Sequence, residues 1–156
     1  MKRSKTTVEV DQSIKIGDLS DATILAFSDH INWTVLIPAQ VKRALMEQMR
    51  ERGKSKIRAT LQIFSAALFL LLQESLPQIS AVVIDTEYTG YEQDIEGMLL
   101  NYLREVEPGF SKERLVFQQV GKSSPAHKRA ILVHRGEAKP DRVLKMEDIL
   151  AVLGRK

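Results

Sequence analysis

Ala81-Val82-Val83-Ile84-Asp85-Thr86-Glu87-Tyr88 decides the fold: four apolar residues in a row end abruptly in a carboxylate. A continuous run rich in Val and Ile reads as a strand buried on both faces of a sheet. Asp85 then stands where the carboxyl edge of that strand meets solvent, the edge on which open α/β sheets build their sites.

The elements around this strand follow from period and punctuation. Thr6 to Asp11 alternates and is β-rich. Ala22 to Ser28 and Trp33 to Ile37 read as two further strands, joined by the turn-like Asp29-His30-Ile31-Asn32 into a hairpin. Pro38 opens a helix whose inner face carries Val41, Ala44, Leu45, Gln48 and Met49, and Gly53 ends it. Ile57 to Leu76 is apolar nearly all round and reads as a buried helix, stopped by Pro77. Tyr91 to Val106 is amphipathic and closes at Pro108-Gly109. Leu115 to Val120 is a strand, Ala126 to His134 a helix capped by Gly136, and Met146 to Leu153 a short final helix. Three strands, two helices, then a strand–helix–strand crossover imply a mixed sheet within an α/β fold, antiparallel at the hairpins and parallel at the crossovers.

Composition narrows the class. A chain of 156 residues with 44% hydrophobic and 28% charged residues fits one globular domain over 1–156. The absence of cysteine removes disulfide scaffolds and thiolate zinc sites, and makes a cytoplasmic location the simpler expectation. The apolar block Leu61 to Leu72 is broken by Gln62 and Ser65 and is too short to span a bilayer, so no membrane partner is expected. The basic start Met1-Lys2-Arg3-Ser4-Lys5 is not followed by an apolar signal core.

The formal charge of +3 is unevenly spread. Lys42, Arg43, Arg50, Arg52, Lys54, Lys56 and Arg58 crowd one block, and Lys122 to Lys145 is also basic, while Asp85 to Glu107 is acidic. Basic surfaces flanking an acidic centre suit a polyanion held near cations. Solvated helix faces account for the same charges.

Three local patterns, in order, resemble the ribonuclease H-like superfamily, the group of ribonuclease H and the Holliday-junction resolvases. Val8-Glu9-Val10-Asp11-Gln12-Ser13 resembles its first strand, Asp85-Thr86-Glu87-Tyr88 its fourth, and Val120-Gly121-Lys122 through Pro125-Ala126-His127-Lys128-Arg129-Ala130 its last strand–turn–helix. The resemblance covers about Thr6 to Arg135. It implies a five-stranded mixed sheet with helices on both faces, and first and fourth strands lying side by side and parallel.

It also implies that Asp11 and Asp85 meet. Two close carboxylates need a compensating cation, and oxygen ligands select Mg²⁺ or Mn²⁺. Such ions activate water against a phosphodiester. The function implied is a divalent-metal-dependent nuclease, with catalytic Asp11, Asp85, His127 and Glu87, and metal ligands Asp11, Asp85 and His127. Lys42, Arg43, Lys122, Lys128 and Arg129 are the expected phosphate contacts. The partner is nucleic acid of unspecified type, and a homodimer is open.

Two departures from the family matter, and the first supports the alternative of a non-catalytic nucleic-acid-binding or protein-interaction module with an eroded site. The family's early helix Glu has no clear counterpart: Glu47 lies off the apolar stripe, and the apolar helix offers only Thr60 and Gln62. Two helices also stand where the family core has one. Glu87, two residues past Asp85, is the available substitute. Asp11 and His127 have ordinary alternatives, Asp11 as a turn former with Ser13 and His127 as a helix-surface histidine, while His30 and His134 read simply as turn and surface residues. Gly121-Lys122-Ser123-Ser124 lacks the glycine spacing of a Walker loop.

Overall fold

The structure is a computed structural model that describes residues 5–121 and 124–154. It is an α/β fold on one six-stranded mixed sheet. The elements run β1 Thr6–Ser13, β2 Thr23–Ser28, β3 Asn32–Ile37, α1 Ala39–Glu51, α2 Lys56–Leu72, β4 Ile79–Asp85, α3 Glu92–Val106, β5 Leu115–Gln118, α4 Pro125–His134, β6 Arg142–Val143 and α5 Met146–Leu153. The sheet order is β5-β4-β1-β2-β3-β6. β1, β2 and β3 form an antiparallel meander, and β4 pairs parallel with β1 in the register Val8↔Val82 and Val10↔Ile84.

Strand alternation divides the core. Val8, Val10, Leu25, Phe27, Val35, Ile37, Val82 and Ile84 face the large apolar cluster, shared with α1, α2, α3 and α5. α2 is the spine of that cluster. Its N-terminus is capped by the Ser55 hydroxyl, which accepts from Arg58 N at 3.2 Å, a contact worth about 1 kcal/mol. Every residue from Ile63 to Leu72 is buried, so a Leu→Ala change there costs roughly 2–5 kcal/mol. The opposite face is covered by α4, where Ala130 and Val133 pack on Ile24 and Ala26.

The structure corrects the expected architecture in four places. The sheet has six strands, not five: Arg142–Val143 pair parallel with Val35 and Leu36. The Asp141 carboxylate accepts from Thr34 N at 2.8 Å and Thr34 Oγ1 at 3.0 Å, which pins this edge. Two residues are too few to show a period. β4 is not buried on both faces; α4 packs on β1 and β2, and Ala81 and Val83 remain half-buried. The β5 ladder stops at Gln118 because Val120 N donates to the Asp85 side chain instead.

Lastly, Lys56–Gln78 is helical throughout, with α2 running into a 3-10 turn over Gln73–Gln78 that contains Pro77. That stretch is long and apolar enough to cross a membrane, but most of it is buried inside the fold, so its apolar surface is already used in packing.

β1 gives way to a loop that positions everything above it. Ile14 takes a left-handed conformation, φ 67°, which for a β-branched residue costs of order 1–3 kcal/mol. The loop is held by Lys42 of α1. Lys42 is fully buried, and its ammonium donates to the carbonyls of Asp18 and Lys15 and to Thr23 Oγ1. Three donors with three acceptors make the burial of this charge tolerable. Burial pushes its pKa below the usual lysine range.

Candidate metal centre

The parity of β1 and β4 fixes the site. Val10 and Ile84 point into the core, so Asp11 and Asp85 point to the other face at the carboxyl ends of adjacent parallel strands. Asp11 is only 3% exposed. Asp85 accepts from Val120 N at 2.7 Å through Oδ1, which anchors its carboxylate. Glu87 follows just beyond the end of β4. One carboxylate oxygen from each of Asp11, Asp85 and Glu87 lies within 4.8 Å of the other two.

Crowding shows in the proton affinities. Burial, with the neighbouring Asp85 carboxylate adding to it, raises the Asp11 pKa to about 6. Glu87 is raised to about 7, first by burial and then by Asp85 and Asp11. Like charges gathered out of water disfavour ionisation, and a bound cation relieves that cost. Lys15, with its ammonium 4.0 Å from Glu87, offsets only part of it.

His127 stands in the first turn of α4, and its Nδ1 lies 2.6 Å from Asp11 Oδ2. An ionised Asp11 has only acceptors, so Nδ1 carries the proton and, in the neutral ring, Nε2 is the free acceptor. His127 therefore meets a carboxylate of the cluster and is not one of its converging ligand groups. Hydrogen bonds of this kind orient ligating carboxylates.

The donor set is made of carboxylate oxygens, which fits a hard divalent cation such as Mg²⁺ or Mn²⁺. A further polar side chain borders the same narrow crevice. Gln12, 8% exposed, lines it together with Asp11, Asp85, Glu87 and Phe64, and Gln12 Nε2 finds no partner among the described residues. The other end of that amide is occupied: Tyr88 OH accepts from Ile16 N at 3.1 Å and sits 3.5 Å from Gln12 Oε1. The N–H end is therefore a buried donor without a protein partner among the described residues.

The expected phosphate contacts divide. Lys42 is corrected outright, since a fully buried ammonium spent on three protein acceptors has no access to a phosphate. Arg43 is exposed but donates to the Leu19 carbonyl at 2.8 Å, bracing the same loop. Lys128 is exposed on α4, and Arg129 beside it is half-buried with Nε unpartnered among the described residues. Lys122 lies outside the described residues.

Glu47 is exposed on α1, away from the cluster, and α2 presents Phe64 to the cavity, so no helix carboxylate joins the cluster among the described residues.

Sequence reasoning missed Glu9, whose Oε1 accepts from Ser124 Oγ at 3.4 Å, tying β1 to the start of α4. The alternation of Val8 and Val10 was the signal, since it puts Glu9 on the face of Asp11. It also missed Gln12, which the same alternation puts in the row of Val8 and Val10, a polar residue on the buried face. No family model matches this chain, and no match is found among curated proteins or solved structures.

Proposed function

We propose that this protein is a divalent-cation-dependent nuclease of ribonuclease H-like organisation. The observation that carries the reading is the convergence of Asp11, Asp85 and Glu87 at the carboxyl ends of two adjacent parallel strands. The antiparallel β1-β2-β3 meander with β4 and β5 added beside β1 supports the organisation, β6 being an addition at the far edge.

In this reading Asp11, Asp85 and Glu87 hold the cation. Mg²⁺ or Mn²⁺ bound there supplies charge neutralisation at the phosphodiester and lowers the pKa of the attacking water. His127 fixes Asp11 through Nδ1 and holds Nε2 ready to take or return a proton. Lys128 and Arg129 meet flanking phosphates.

One observation favours a second reading. Phe64 lines the cavity on the side of α2, where the nuclease pattern calls for a carboxylate. That suits a nucleic-acid-binding module without turnover. A panel of single strands, duplexes, RNA–DNA hybrids and branched junctions, incubated with Mg²⁺, Mn²⁺ or EDTA, separates the two. The nuclease reading expects metal-dependent cutting that Asp11→Asn and Asp85→Asn each nearly abolish. Cutting of none, or cutting that survives both variants, leaves the binding module.

A further inference from the structure

Beside the carboxylate cluster, on the far side of Tyr88, opens a groove of about 540 Å³ lined by Lys15, Gly17, Lys56, Ile57, Thr60 and Tyr88. The volume is that of a small-ligand pocket. The groove and the cluster share a border: Lys15 pairs with Glu87, and Tyr88 is the next residue in the chain.

The groove is built firmly. Its loop wall hangs on the buried Lys42 ammonium through the carbonyls of Lys15 and Asp18. Its other wall is the Tyr88 ring, packed on Phe64 at 4.8 Å between centroids and tied by its hydroxyl to Ile16 N. The polar groups within are already engaged. Thr60 Oγ1 donates to the Lys56 carbonyl at 2.8 Å, and the Asp18 carboxylate takes the Ser20 hydroxyl and amide and so turns back into its own loop. What remains toward an occupant is apolar, the Tyr88 ring and the 40%-exposed Ile57, with two ammonium groups at the rim.

A flat apolar body that carries negative charge matches this lining of an aromatic ring, an aliphatic side chain and two lysines. We infer that the groove takes one unpaired nucleotide of the strand whose adjoining phosphate lies at the carboxylates, an inference that rests on the nuclease reading. The base packs against Tyr88 and Ile57, and Lys15 and Lys56 receive its flanking phosphates. A paired base cannot do this, because stacking on a protein surface needs a base face freed from its duplex neighbours. The preferred substrate class is therefore a single strand, or a structure with an unpaired nucleotide at the cleavage point.

Fluorescence anisotropy with a labelled single-stranded oligonucleotide and its fully paired duplex, in EDTA so that nothing is cut, tests the groove directly. Gly17→Leu fills it without altering charge. Gly17 has no positive φ, and a Cβ there meets Thr60 Oγ1 at 3.8 Å and Lys56 Cε at 3.9 Å, ordinary contact distances. Wild type should bind the single strand at least about 10-fold tighter than the duplex, and Gly17→Leu should lose about that factor on the single strand alone. Lys15→Ala and Lys56→Ala should each lower the salt slope by about 0.7. Mn²⁺ titration of Gly17→Leu should match wild type, showing an intact cluster. Equal affinity for the two forms, no binding of either, or a Gly17→Leu variant that binds like wild type overturns the groove assignment. Failure of every substrate to be cut overturns the nuclease reading and leaves these binding results to decide the groove.

Discussion

His127 Nδ1 and Asp11 Oδ2 lie 2.6 Å apart, joining the first turn of α4 to the end of β1 across 116 residues of chain. The contact closes the sheet face at the point where the carboxylates gather. It also opposes the effect of burial, since the hydrogen bond favours the ionised form of Asp11.

Replacing His127 with Ala leaves a nearly inaccessible carboxylate without that donor. The expected loss is about 1–3 kcal/mol of stability in EDTA, read from urea unfolding at pH 7.5. Mn²⁺ affinity should fall as well, and fall further at pH 6, because Asp11 then holds its proton more tightly. An unchanged urea midpoint would mean that the contact does not bear on the fold.

The metal-free protein should lose stability as pH rises from about 4 to about 7. Asp11 titrates near 6 and Glu87 near 7 when folded, against 3.8 and 4.5 as ordinary values. Between those limits the folded chain binds more protons than the unfolded one, so the slope of stability with pH is negative. Asp18 and Asp21, held below the usual carboxylate range by Ser20 and His134, act with opposite sign but below this window. Melting temperature in EDTA should be higher at pH 5 than at pH 8, and Glu87→Gln should flatten the difference. Mn²⁺ should raise it at pH 8 and do little at pH 5. A melting temperature that climbs with pH would contradict the crowded-carboxylate account.

Lys42 should behave as a core residue. Lys42→Ala removes three hydrogen bonds and leaves a cavity beneath the loop, at a cost of roughly 2–4 kcal/mol. By contrast, Lys128→Ala should leave the urea midpoint within about 0.5 kcal/mol of wild type and reduce the salt dependence of nucleic-acid binding. A destabilised Lys128 variant beside an unaffected Lys42 variant would reverse these assignments.

How far the sequence could be read follows from which residues carry a period. The run ending at Asp85, the alternation of Val8 and Val10 and the apolar length of α2 are strong patterns, and they locate β4, β1 and the central helix. Position along these elements also points to Asp11 and Asp85, because alternation sets their face. β6 was not legible, since Arg142 and Val143 are placed by the Asp141–Thr34 contact rather than by any pattern of their own. Lys42 misled for a related reason. A basic residue near others of its kind reads as surface, and only the folded chain shows that the β1–β2 loop offers it three acceptors. The partners of Gln12 and the Tyr88 groove depend on side chains meeting from β1, α2 and the segment after β4, which a linear reading does not join.

The central claim is that Asp11, Asp85 and Glu87 together hold a divalent cation. Anomalous diffraction from crystals soaked in Mn²⁺ tests it most directly, because it locates the ion rather than inferring it from activity. The account predicts an anomalous peak in contact with carboxylate oxygens of all three residues, with His127 on Asp11 and not on the ion, and no such peak in Asp85→Asn crystals. A Mn²⁺ peak elsewhere with this cluster empty, or a peak that persists in Asp85→Asn, would contradict it.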